Sequence, residues 1–202
     1  EASVSQQFPN DQMRVQLVKE SRGHTIETLN AQVIEAINQA LEKARTAPTV
    51  KAYANGINTH QEWNKNGEPD GWEVRGSLVL EGTDTAAVAH LAGQLASTLQ
   101  LDGVSYQLST ARRQAEENNL IQQAANAFRA RASATATAFG YKGYEIKQFR
   151  LDSNHRSDSD SIGTYAVLAS HSIGTTRQQP SVPGEGGDTT ITLTVRGTIE
   201  LR

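Results

Sequence analysis

The chain has 202 residues, 37% of them hydrophobic, with a formal net charge of −3 and a pI near 6.0. That length fits one large domain or two small ones sharing a core, and the mild acidity argues against a nucleic-acid surface or a polybasic membrane anchor. No apolar run approaches the roughly 18 residues of a membrane-crossing helix, so no membrane span is expected and the chain reads as soluble. There is no cysteine, which removes disulfides, thiolate nucleophiles and cysteine-ligated zinc together. A start at Glu1 rather than methionine, without a charged-then-apolar signal region, predicts that a targeting segment was removed or that the chain was cut.

In chain order, MRVQLVKE alternates Met13, Val15 and Leu17 against Arg14, Gln16 and Lys19, breaking step at Val18, the pattern of a half-buried strand. After SRGH, Thr25 is placed to cap a helix in which Ile26, Leu29, Val33, Ile37, Ala40 and Ala44 recur three and four apart, until Pro48 stops it. TVKAYANGINTHQEW reads as a second strand. Asn66-Gly67 and Pro69-Asp70-Gly71 supply a turn, and WEVRGSLVLE returns with Trp72, Val74, Leu78 and Leu80 on one face. Trp63 and Trp72 flank the turn and are expected to be cross-strand neighbours. Thr83 or Asp84 then caps a helix burying Val88, Leu91, Leu95 and Leu99, and VSYQLS follows Gly103 as a further strand. The order β-α-β-β-α-β is that of a split βαβ, ferredoxin-like sheet with helices on one face; two interleaved smaller sheets produce the same order.

From Ala111 to Phe139 there is neither proline nor glycine, which predicts one helix of about 29 residues and about 44 Å. Ile121, Ala125, Phe128, Ala132, Thr135 and Phe139 form its expected buried stripe, and Ala127, Ala130, Ala134 and Ala138 a second, small-residue stripe that permits close approach. Gly140 terminates it. A close-packed structural helix is favoured over a partner-binding or oligomer-forming one. GYEIKQFRL is another strand, with Tyr144, Ile146 and Gln148 against Glu145, Lys147 and Phe149, so neither face is marked as inward. The polar, Gly/Pro-punctuated span from Asp152 to Asp188 reads as mobile loops around a short edge strand, TYAVLAS. TTITLTVRGTIEL closes the chain, apolar at Ile191, Leu193, Val195, Ile199 and Leu201, with Gly197 marking a bulge. The MRVQLVKE strand is its natural partner, which would tie the termini together.

Chemistry is sparse. His24, His60, His90, His155 and His171 show no metal-ligand spacing and read as surface or loop residues. Asp152, Asn154, Asp158 and Asp160 are hard oxygen donors, but a calcium loop would need an oxygen where Arg156 stands and a glycine where Ser157 stands. A solvated acidic loop is favoured. There is no nucleophile elbow, phosphate-binding loop or dinucleotide fingerprint, and GEGGD at Gly184 to Asp188 is a turn. Arg112 with Glu116 and Arg113 with Glu117 make i,i+4 pairs on a solvated helix face. No catalytic, cofactor-binding or metal-ligating residue is assigned. The residual candidate is a small-molecule or metal cleft beside the hairpin, lined by Tyr53, His60, Trp63 and Trp72.

GWEVRGSLVLEGTD (Gly71 to Asp84), AFRARASATATAFGYKGYEI (Ala127 to Ile146) and ITLTVRGTIEL (Ile191 to Leu201) together resemble the SIMPL-domain family, named after a mammalian protein associated with pelle-like kinase. The resemblance implies an α+β fold, a single SIMPL-like domain over 1–202. Within it a ferredoxin-like subdomain, set at 51–143, is inserted into a terminal one of 1–50 plus 144–202, with one long Ala-rich helix. It also implies a secreted periplasmic or envelope protein whose signal peptide has been removed, homo-oligomers and a link to stress tolerance. The family has no established catalytic residues to carry over, and the kinase association is not transferred. The expected function is that of a non-enzymatic, self-associating envelope protein. A small-molecule or metal-binding module is the alternative, and an enzyme using ordinary Asp, Glu or His residues is the third reading.

Overall fold

A computed structural model describes residues 1–157 and 186–202. Its elements in chain order are β1 (Ala2–Pro9), β2 (Gln12–Gly23), α1 (Ile26–Ala44), β3 (Lys51–Trp63), β4 (Pro69–Gly82), α2 (Thr85–Leu95), β5 (Gln100–Gln107), α3 (Thr110–Ala138), β6 (Tyr144–Ser157) and β7 (Asp188–Leu201). The protein is α+β, and the described residues fall into two units: an inner one over 11–106 and a terminal one built from 1–10, 107–157 and 186–202. The boundaries therefore lie at 10/11 and 106/107 rather than at 50/51 and 143/144. The physical reason is sheet membership, because β2 and β5 pair into the inner sheet while α3 packs on β1 and β7.

The inner unit is the ferredoxin-like one, a single four-stranded sheet in the order β3-β4-β2-β5. β2 and β4 pair antiparallel with Val15 opposite Leu80 and Leu17 opposite Leu78. The expected apolar stripes meet over this face: Leu29, Val33, Ile37, Ala40 and Ala44 from α1, and Val88, Leu91 and Leu95 from α2, join Met13, Val15, Leu17, Val74, Leu78 and Leu80 in one core. At the start of α2 the Asp84 carboxylate accepts from the Ala87 N–H at 3.0 Å. Thr25 occupies the corresponding position of α1 without a side-chain cap bond. Gly76 on β4 lies directly beneath α1, where a Cβ would come within 2.5 Å of Val33 Cγ1, so the helix rests on bare backbone.

The terminal unit is a three-stranded antiparallel sheet in the order β1-β7-β6, with α3 over one face. β7 does tie the chain ends together, but through β1, which sequence periodicity did not reveal, and not through the strand at Met13. Its polar face carries a hydroxyl ladder, Ser3 with Thr194 and Ser5 with Thr192, each at 2.9 Å. α3 is unbroken over 29 residues. It ends in a Schellman arrangement in which Gly140, at φ 79°, donates to the Thr137 carbonyl and Tyr141 to that of Ala136.

Three expectations are corrected here. The buried row of α3 is Leu120, Ala124, Phe128, Ala132 and Ala136; Phe139, placed on the buried stripe by spacing, is 71% exposed, and Ala130, Ala134 and Ala138 are exposed as well. Gly197 does not mark a bulge. A Cβ there would meet Phe128 Cζ at 2.9 Å and the Gln148 carbonyl at 2.6 Å, so this glycine makes room for the Phe128 ring. The irregularity sits on the neighbouring strand, between Ile146 and Gln148. Finally, Asp152–Ser157 belong to β6 rather than to a loop, which makes Asp152 and Asn154 strand residues; Asp158, Asp160, His171 and the TYAVLAS segment lie outside the described residues.

Candidate functional site

Because side chains alternate across a strand, the residues between the core positions of β2, β3 and β4 point away from α1 and α2. On that helix-free face of the inner sheet lie Arg14, Gln16, Glu20 and Arg22 of β2, Glu73, Arg75 and Glu81 of β4, and Lys51 and Tyr53 of β3. Register then decides the chemistry. Glu81, opposite both Arg14 and Lys51, is nearly buried at 8% exposure. Its carboxylate accepts from Lys51 Nζ at 2.9 Å and from the Tyr53 hydroxyl at 3.2 Å, with Arg14 at 3.9 Å. The Lys51 ammonium also stands 5.1 Å from the centre of the Tyr53 ring, within cation–π range.

Two further clusters extend the network. Arg75 pairs with Asp102 of β5 and, at 3.3 Å, with Glu20, while Gln16 Nε2 donates to Asp102 at 2.9 Å. Arg22 binds Glu73 at 2.6 Å and Glu62 at 3.2 Å. The Glu81 hydrogen bond and charge hold the Lys51 ammonium above its ordinary pKa. The Glu73 hydrogen bond, its charge and that of Glu62 raise Arg22 likewise. Beside these groups Arg14, Gln16, Asp102, Gly103, Val104 and Ser105 line an open depression of about 140 Å³. The carboxylates of Glu81, Glu73 and Asp102 on this face are engaged by Lys51, Arg22 and Arg75. Among the described residues no three His, Asp or Glu side chains converge as a metal site.

The four residues proposed for a hairpin cleft are dispersed. Trp72 packs partly against the inner core, whereas Trp63 is 60% exposed. The tryptophans are not cross-strand partners, since Trp72 stands opposite Gln61 and Trp63 opposite Pro69. Tyr53 belongs to the Glu81 cluster, and His60 lies seven residues further along β3, opposite Glu73, roughly 20 Å away at strand rise. His90 meets Gln94 at 3.0 Å on α2, and His24 and His155 are exposed. Of the two predicted helix ion pairs, Arg112 reaches Glu116 at 3.9 Å, while Glu117 accepts from Ser153 Oγ at 3.4 Å. The Glu81 cluster escaped sequence reading because its residues come from three strands. The only local signal was the charge at alternate positions of VRGSLVLE and MRVQLVKE.

The terminal unit carries a different surface. Cross-strand partners share a face, and Val195 and Ile199 of β7 pack with α3, so their partners Leu151 and Ile146 lie on the helix side of the sheet. Phe149, opposite Gly197, lies there too. Yet α3 packs chiefly on β1 and β7 and leaves these side chains uncovered: Phe149 is 70% exposed, with Ile146 and Leu151 near 40%. No helix among the described residues is long and apolar enough to cross a membrane.

Among curated proteins none matches the chain. Among solved structures it is similar to hydantoinase/carbamoylase family amidases. That from Burkholderia multivorans is 11% identical over 52% of this chain and 28% of its own, with a TM-score of 0.28. That from Burkholderia vietnamiensis is 14% identical over 66% and 34%, with a TM-score of 0.29. That from Burkholderia ambifaria is 13% identical over 48% and 28%, with a TM-score of 0.26. The chain thus spans about a third or less of the length of these enzymes, and likeness at such scores carries no argument about activity. The segments singled out in β4 and α3, and that in β7 up to its last two residues, fall within residues 1–199, which match the family model described as SIMPL, protein of unknown function (DUF541): the chain belongs to the SIMPL family.

Proposed function

We propose that this chain acts through its surfaces, as a non-enzymatic, self-associating protein of the cell envelope. The observation that carries the reading is the uncovered apolar strip of β6, where Ile146, Phe149 and Leu151 meet solvent on a sheet face that α3 covers elsewhere. Apolar surface grouped in this way marks an interaction site more often than a scattered leucine does. The non-enzymatic part is supported by the inner sheet face, whose Glu81, Glu73 and Asp102 carboxylates are held by Lys51, Arg22 and Arg75. Placement in the periplasm and a role in stress tolerance follow from kinship with the SIMPL family alone.

Light scattering over a wide concentration range tests the assembly. A mass above the 21.9 kDa of one chain is expected, and a strict monomer at the highest concentration overturns it. Fractionation of the natural host should recover the protein outside the cytoplasm, and recovery with cytoplasmic markers refutes the envelope assignment.

A further inference from the structure

We propose that the assembling surface is the outer edge of β6, paired antiparallel with β6 of a second copy of this chain about a twofold axis at Leu151. This rests on the self-association reading and gives it a place and a register. β6 runs for 14 residues, well beyond the roughly five or six of an average strand. Among the described residues it is the last strand of the order β1-β7-β6, so one side pairs with β7 and the other forms the outer edge of the described sheet. Long edges carrying apolar side chains invite another strand.

Charge and the length of the strand together select the register. Arg150 and Asp152 alternate with Phe149 and Leu151 and lie on the face away from α3. Arg150 stands opposite Arg196 of β7, a like charge whose own guanidinium is engaged by Glu1 at 3.2 Å. Asp152 reaches Arg196 only at 3.9 Å. Within one chain, then, Arg150 faces a cation. Directly opposed residues must share a sheet face, so a twofold axis perpendicular to the sheet falls on a residue. On Arg150 or Asp152 it would set a charge against its own copy. On Ser153 it would oppose Arg150 to Arg156, and on Phe149 it would leave both charges facing neutral residues; on Asn154 it would oppose Asp152 to Arg156 but keep only Leu151 to Ser157 of β6 in the ladder, against Glu145 to Ser157 for an axis on Leu151. On Leu151 it opposes Arg150 to Asp152 of the second copy, and Asp152 to its Arg150. Gln148 then meets Asn154, and the two leucines meet at the axis. The same register brings Phe149 and Leu151 of both copies together on the helix side, extending the three-stranded sheet to six strands and covering the exposed strip.

Because the chain has no cysteine, Leu151→Cys introduces a single thiol at the axis. Opposed Cβ atoms lie about 4.5–5.5 Å apart, near disulfide range, so mild oxidation should give a covalent dimer on a non-reducing gel. Asn154→Cys, roughly 20 Å from its own copy in this register, should not. Arg150→Asp and Asp152→Arg each replace two attractive pairs by two repulsive ones and should weaken dimerisation by about tenfold or more. The double swap, Arg150→Asp with Asp152→Arg, restores complementarity and should recover the dimer, which a merely misfolded variant would not do. If the wild-type chain is a monomer, both this inference and the self-association reading fall, and the edge belongs to another part of the chain or to a different protein. If it assembles while Leu151→Cys gives no cross-link and the charge variants bind like wild type, the edge pairing alone is overturned.

Discussion

Gly76→Ala adds one methyl group where α1 crosses β4. The new Cβ would lie 2.5 Å from Val33 Cγ1, 3.4 Å from Ile37 Cγ1 and 3.6 Å from Ile57 Cγ1. Carbon atoms attract best at about 3.5–4.0 Å, so the Val33 contact alone demands a retreat of about 1 Å. Val33 is fully buried, and a β-branched side chain in a helix has essentially one χ1 well. The strain therefore passes to the helix rather than to a rotamer. Overpacking of this kind costs about 1–3 kcal/mol; with no rotamer to escape into, the upper part, about 2–3 kcal/mol, applies, offset by roughly 0.5–1 kcal/mol from removing a strand glycine, for a net loss of about 1–2.5 kcal/mol. Both tryptophans, Trp63 and Trp72, lie in the inner unit, so urea unfolding followed by tryptophan fluorescence reports on that unit. Val33→Ala alone should cost about 1.6 kcal/mol for two methyl groups, but appreciably less when Gly76→Ala is present, because it removes the clash. A Gly76→Ala stability within about 0.5 kcal/mol of wild type, or strict additivity of the two changes, would refute the close-approach argument.

The two helix starts of the inner unit should respond differently. Asp84→Ala removes a formed cap bond and should cost about 1 kcal/mol. Thr25→Ala removes no cap bond and should stay within about 0.5 kcal/mol; fluorescence-detected unfolding separates them, and equal effects would contradict the capping geometry. For Lys51, raised by Glu81 above the ordinary 10.5, the sign of linkage is definite. A raised folded-state pKa gives stability that is fully present below 10.5 and is lost as pH rises through the higher folded value. An NMR titration of the Lys51 side chain should show a midpoint above 10.5 that returns toward it in Glu81→Gln. A wild-type midpoint at or below the ordinary value would remove Glu81 as the cause.

Much of this architecture was written in local pattern. Leu29, Val33, Ile37, Ala40 and Ala44 announce a helix and its buried face at once, because a 3.6-residue repeat and a large change in side-chain hydrophobicity coincide. Val74, Leu78 and Leu80 do the same for β4 with a period of two. From such stripes, a cap at Thr83 or Asp84 and the helix-ending Gly140, the α+β class and the β-α-β-β-α-β order of the inner unit follow without coordinates. So does the absence of disulfide and thiolate chemistry, from a composition without cysteine.

Other features depend on contacts between residues far apart in the chain. β1 has only Ala2, Val4 and Phe8 as apolar residues before Pro9, too little for a period, and it is a strand because β7 supplies its ladder and the hydroxyl partners of Ser3 and Ser5. In α3 the abundance of alanine made several rows look equally apolar. Packing on β1 and β7, with Phe128 over Gly197, selects the row through Leu120 and Ala124. The inward face of β6 could not be assigned from GYEIKQFRL because the register shift after Ile146 reverses the alternation midway, bringing Phe149 to the side of Ile146. The Glu81 cluster likewise exists only through cross-strand register. Local propensity and periodicity are properties of neighbouring residues; strand partner, register and choice of helix face are set by long-range packing, and here they decide which charges meet and which apolar side chains stay in water.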